Sequence, residues 1–118
     1  MQLRKKAAAV LAAATLFSGL GVLTASTASA AQPCDPTQFV NNSSAYGKLK
    51  GTYNLKYSPA SECGNVASVP SGKGFYVWCY VKNYYGNKWF YGRVEGTSTY
   101  GWLSADNVAV ERGSQYPC

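Results

Sequence analysis

The chain has 118 residues, of which 47% are hydrophobic and 14% charged, with a formal net charge of +6, four cysteines and no histidine. This length bounds the molecule to one small domain, and the lack of histidine excludes Ser-His-Asp and Cys-His catalysis together with every imidazole-dependent zinc site. Only five carboxylates are present, Asp35, Glu62, Glu95, Asp106 and Glu111, so acid–base chemistry has little to draw on and the protein is expected not to be an enzyme.

In chain order, residues 1–30 read as a cleaved secretory signal peptide. Arg4, Lys5 and Lys6 form a basic start, an uncharged Ala/Leu/Val-rich run extends from Ala7 to about Val22, and Ala28-Ser29-Ala30 has the small-residue cleavage pattern. Much of the run is Ala, Gly, Ser or Thr, weakly apolar for a bilayer span, and no Lys or Arg follows to stop transfer. No stable membrane insertion is therefore expected after cleavage. Removing this segment leaves 88 of the 118 residues and lowers the formal charge from +6 to +3, because three cations leave and no acid does. The remaining cations, from Lys48 to Arg112, are dispersed instead of forming a stripe, so a nucleic-acid partner is not expected.

Cys34, Cys63, Cys79 and Cys118 all follow the signal segment, and an even count in a small exported chain reads as two disulfides. No C-x-x-C pair is present, and neither a metal nor another cofactor is expected. Of the three connectivities, the favoured one joins Cys63 to Cys79 across one turn and Cys34 to Cys118 at the two ends. Cross-links suit this chain, because Leu, Val and Phe together supply only 14 of the 88 residues after the signal, whereas 10 Tyr and 3 Trp are present.

Residues 31–50 are read as an N-terminal arm, since the Asn, Ser, Pro and Gln of its first part show no periodicity. Short β-prone runs follow, separated by glycine-containing turns. Gly51–Tyr57 and Asn65–Pro70 are the first two strands, and Phe75–Val81 is the strongest. With period two, Phe75, Val77, Cys79 and Val81 share one face, assigned to the core, and Tyr76, Trp78 and Tyr80 share the other. After the turn Tyr84–Lys88, Trp89–Glu95 returns with Phe90, Gly92 and Val94 opposite Trp89, Tyr91 and Arg93. Tyr100–Leu103 leads through a tight helical turn at Ser104–Asn107 to a closing strand, Val108–Val110. The expected fold is all-β, a five-stranded barrel over residues 51–118 that hides its edges by closure.

The chain from Gly51 to Val110 resembles the bacterial SH3-like (SH3b-type) domain family. Tyr53-Asn54-Leu55-Lys56-Tyr57-Ser58-Pro59 is similar to the family's opening Leu-Asn-Val-Arg-x-Gly-Pro segment, Val66–Val81 to its valine strand, turn and alternating strand, Trp89 and Arg93 to the next strand, and Gly101-Trp102-Leu103 to its Gly-Trp-aliphatic signature. Lys56 and Ser58 stand where arginine and glycine are usual. The alanine-rich signal and the Trp-Cys-Tyr run also look like small secreted proteins of actinobacteria. The resemblance implies an SH3-like barrel and peptidoglycan peptides or cross-bridges as ligands.

Between Phe75 and Trp102, 11 of 28 residues are aromatic, more than a small barrel can enclose. The expected function is a secreted, monomeric, non-catalytic binding module. It would engage cell-wall peptidoglycan peptide or glycan, or an extracellular protein, through Tyr53, Tyr57, Trp78, Trp89, Tyr91 and Arg93. Flat rings with polar tips give large contact area at small entropic cost. The alternatives are a secreted protein-binding effector, inhibitor or toxin-like, and a surface protein that self-associates through the same rings.

Overall fold

The computed structural model describes residues 32–118; the segment read as a signal peptide, residues 1–30, lies outside them. Among the described residues the alternating runs form seven strands: β1 (Tyr46–Leu49), β2 (Tyr53–Lys56), β3 (Asn65–Val69), β4 (Gly74–Lys82), β5 (Lys88–Val94), β6 (Tyr100–Ser104) and β7 (Val108–Arg112). A 3-10 turn at Ala105–Asn107 separates the last two, and the Ser104 hydroxyl accepts from the Asp106 N–H at its start. The strands make one antiparallel sheet in the order β3-β2-β6-β5-β4-β1-β7.

Val69 of β3 and Val108 of β7 sit at opposite edges of this order yet belong to one buried apolar cluster. Gly72, just past β3, also donates its N–H to the Leu49 carbonyl of β1 (2.9 Å). Laid flat at about 4.8 Å per strand, the two edges would stand about 29 Å apart, so the sheet is rolled around its core. That core holds Leu49, Leu55, Phe75, Val77, Phe90, Val94 and Leu103.

Five strands were expected and seven are present. The additions are Tyr100–Ser104, which pairs with both β5 and β2, and Tyr46–Leu49, which lies between β4 and β7. The second falls inside the stretch read as an arm. Its four residues, with a glycine at the second position, are too few to display a period in sequence. The arm ahead of it also packs: Asn42 N–H donates to the Trp78 carbonyl (3.0 Å), and the N–H groups of Ser44 and Ala45 both reach the Ser114 carbonyl (3.0 and 3.1 Å).

A second correction concerns the strongest strand. Opposite β5, Val77 pairs with Gly92 but Cys79 pairs with Tyr91, so Trp78 is an extra residue in a β-bulge. The insertion reverses the alternation. Phe75 and Val77 face the inner core as expected, whereas Cys79 and Val81 turn to the opposite face and Tyr80 takes their place inside. Glycine at 92 allows the close approach next to the bulge, since a Cβ there would collide with the Tyr76 carbonyl and lie 2.9 Å from the Phe75 ring.

The disulfides join Cys34 to Cys63 and Cys79 to Cys118, not Cys63 to Cys79 and Cys34 to Cys118. Cys63 precedes β3, and β2, β6 and β5 stand between β3 and β4 in the sheet, so Cys63 and Cys79 do not face each other across a turn. Cys63 instead clasps the arm. Cys79 clasps the C-terminal segment, which runs beside the free half of β4 with Tyr80 N–H donating to Tyr116 O (3.0 Å) and Cys118 N–H to Tyr80 O (2.8 Å). Arm and tail thus cover backbone that β1 leaves unpaired.

At the junction of β1 and β4, Tyr46 donates its hydroxyl to Glu95 Oε1 at 2.6 Å, and the Arg112 guanidinium lies 4.0 Å over its ring. The hydrogen bond to the Glu95 carboxylate, with desolvation and the nearby negative charge, pushes the Tyr46 phenol up to about 12 from 10.0. A phenol whose folded pKa is raised stabilises the fold fully below pH 10 and loses that contribution as pH rises toward 12. Thermal stability is therefore expected to fall through this window, and the Tyr46→Phe variant to fall less steeply. Melts taken alongside phenolate absorbance check this; Tyr85 and Tyr91, also raised, add to the remaining slope in both proteins.

Candidate functional site

The bulge creates a second apolar layer on the outer face of the sheet. Cys79, Trp89, Tyr91 and Trp102 are buried there, with Trp78 and Val81 packed against them. Direct cross-strand pairing sets Tyr91 of β5 opposite Trp102 of β6, and their rings meet edge to face at 5.1 Å. Trp78 meets Tyr91 at 5.8 Å and Tyr100 at 5.1 Å, both in T-shaped geometry. Phe39 of the arm completes the group by stacking on Tyr91 with centroids 3.8 Å apart and planes 14° from parallel.

Five rings from three strands and the arm thus form one continuous assembly. It borders a cleft of about 350 Å³ whose lining includes Phe39, Tyr57, Tyr91, Tyr100, Trp102 and Lys56. Three of these rings present area to solvent: Tyr57 is 68% exposed, Phe39 48% and Tyr100 38%. Among the described residues the Lys56 ammonium is the one charged group in this lining, and it donates to the Cys63 carbonyl (3.1 Å) and Asn65 Oδ1 (2.5 Å). Burial, with the neighbouring Tyr100 adding to it, raises the Tyr91 phenol, which keeps this part of the cleft neutral well into alkaline pH.

The arm side of the cleft is firmly held. Cys34 is bonded to Cys63, and the buried Ser58 hydroxyl donates to the carbonyls of Cys34 (3.1 Å) and Asp35 (3.3 Å). Val40 N–H points at Cys79 Sγ (3.4 Å), which fixes the chain just beyond Phe39.

Of the six residues expected to bind, the structure brings Tyr57 and Tyr91 to this cleft and places Trp78 behind it, against Tyr91 and Tyr100. Trp89 and Tyr91 have the expected parity but are buried, at 7% and 9% exposure, because the second layer covers them. They support the site more than they touch a ligand. Tyr53 and Trp89 border a separate hollow of about 280 Å³ with Asn54, Ser61 and Asn107. Arg93 lies apart, 4.9 Å over the Tyr76 ring and donating to the Thr97 carbonyl (3.1 Å). Phe39, Tyr100 and Trp102 were not among the six. Phe39 is the one aromatic of the polar arm before Tyr46, and that isolation was the available signal.

Among the described residues no group of three or more His, Cys, Asp or Glu side chains could hold a metal, and the four cysteines are all in disulfides. Comparison with protein-family models, with curated proteins and with solved structures finds no match.

Proposed function

We propose that this protein is an exported, non-catalytic binding module that engages cell-wall peptidoglycan through the aromatic cleft. One observation carries the reading: exposed faces of Phe39, Tyr57 and Tyr100 converge over a rigid base of Tyr91, Trp102 and Trp78. Phe39 and Tyr100, already held by packing on Tyr91 and Trp78, lose little freedom on binding, which is how preorganised surfaces gain affinity. Two disulfides are compatible with an oxidising, extracellular setting. The SH3b-like order of motifs between Gly51 and Val110, the signal-like start of the chain and the rolled β-sheet support the same reading.

Retention of the oxidised protein on purified cell wall tests it. Tyr57→Ala and Tyr100→Ala together are expected to lower retention at least about tenfold, the scale of losing one or two aromatic anchors. Tyr57 is exposed enough that its truncation alone should hardly move the melting temperature. Because Tyr100 meets Trp78 edge to face at 5.1 Å, retention of the double variant is compared well below its melt. Retention unchanged in that double variant, or none in the parent, removes the proposal. Co-purification with one extracellular protein in place of wall would select the effector reading.

A further inference from the structure

The arm is a ridge between two hollows, because Thr37 lines both the aromatic cleft and a second hollow of about 260 Å³. The second is bounded by Pro33, Pro59, Val81, Asn83 and Tyr84. Its rim is built rather than loose. Asn83 Oδ1 accepts from the N–H groups of Tyr85 (3.0 Å) and Asn87 (2.8 Å), its amide donates to the Pro59 carbonyl (2.8 Å), and Gly86 takes the positive φ of 82° that the tight tip requires. Tyr85 is tied to the Glu62 carboxylate and meets Tyr84 edge to face at 5.2 Å, which leaves Tyr84 standing 59% exposed beside the ridge.

Two features narrow the ligand. Neither hollow is lined by a carboxylate, and the cations present are Lys56, already engaged, and Lys82. With no carboxylate in either lining among the described residues, the amino group of a charged peptide has no partner there. Strand β5 is paired along its length with both β4 and β6, so its main-chain groups are committed to neighbours and cannot extend a ladder to an added peptide strand. What is offered is ring faces at Tyr57, Tyr100 and Tyr84, with the Thr37 hydroxyl and the tyrosine tips as hydrogen-bonding groups between them.

We infer that the two hollows are successive subsites for one uncharged oligosaccharide strand crossing the arm at Thr37, its sugar faces resting on Tyr57 and Tyr100 on one side and on Tyr84 on the other. This rests on the cleft being the binding site proposed above and names the ligand class that it takes.

Calorimetric titration of the oxidised protein with β-1,4-linked N-acetylglucosamine oligomers from dimer to hexamer tests the inference, with wall retention measured in parallel. Affinity is expected to rise with length by about tenfold or more, as a second subsite joins the first. Tyr84→Ala should bring the hexamer down to the dimer's affinity and leave the dimer unchanged, whereas Tyr57→Ala should weaken both. Wall retention that depends on Tyr57 while no oligomer binds overturns the oligosaccharide assignment and leaves the binding module standing. Length dependence indifferent to Tyr84→Ala overturns the second subsite. Failure of wall retention and of every oligomer together removes both proposals.

Discussion

Trp102→Ala is expected to destabilise the protein by about 3–5 kcal/mol, a loss on the scale of the entire folding free energy of a domain this small. The indole is 1% exposed and sits where β6 meets both β5 and β2, contacting Tyr91 on the outer layer. Truncation would remove its buried area, leave a cavity beneath the cleft and forfeit the edge-to-face contact. Guanidinium titration followed by tryptophan fluorescence should show the midpoint collapsing toward zero denaturant. Tyr57→Ala, removing a ring of comparable bulk that is 68% exposed, should shift stability by less than about 0.5 kcal/mol. If the two variants behaved alike, the outer layer would not be a core at all.

Cutting either disulfide is the second large effect, and the two cuts should differ in kind. The bridged pairs are 29 and 39 residues apart, so loop entropy assigns about 3.5 kcal/mol to Cys34–Cys63 and about 4 kcal/mol to Cys79–Cys118. Cys79 is fully buried among Trp89, Tyr91 and Trp102, so Cys79→Ser with Cys118→Ser adds a polar group to an apolar layer and frees the tail. That double variant should melt lowest. Cys34→Ser with Cys63→Ser leaves the sheet's own pairing intact but releases the arm that supplies Phe39 to the cleft. Its melting temperature should fall less, while wall retention falls sharply even below the melt. Peptide mapping of the non-reduced protein checks the pairing itself.

Local chemistry was readable where each strand carried enough residues to show its pattern. The runs at 53–56, 65–69, 74–82 and 88–94 fall within two residues of where alternation and turn residues set them. The short helical turn after Ser104 was equally plain, as were two disulfides from four cysteines. Long-range consequences were not readable. A bulge leaves no mark when both neighbours of Trp78 are apolar, so the reversal that carries Cys79 and Val81 to the outer face was hidden, and the disulfide pairing with it. For the same reason the outward parity of Trp89 and Tyr91 pointed to exposure, whereas the arm, the tail and the neighbouring rings cover them. Tyr57, one of the six candidates, lies just past β2 and stands 68% exposed at the cleft.

The placement of the two disulfides also sets how the molecule would bear a pull. Tension entering along the arm passes at Cys34 into Cys63, and tension from the tail passes at Cys118 into Cys79. The backbone enclosed by each bridge is bypassed, so load falls only on the stretch between Cys63 and Cys79, about sixteen residues that hold β3 and the first half of β4. Even if that stretch were drawn straight it would lengthen to no more than about 50–60 Å. A tether anchored at one end would therefore yield by a short, fixed increment and then go taut, with the segments that carry Phe39, Tyr57, Tyr91, Tyr100 and Trp102 still looped and unloaded.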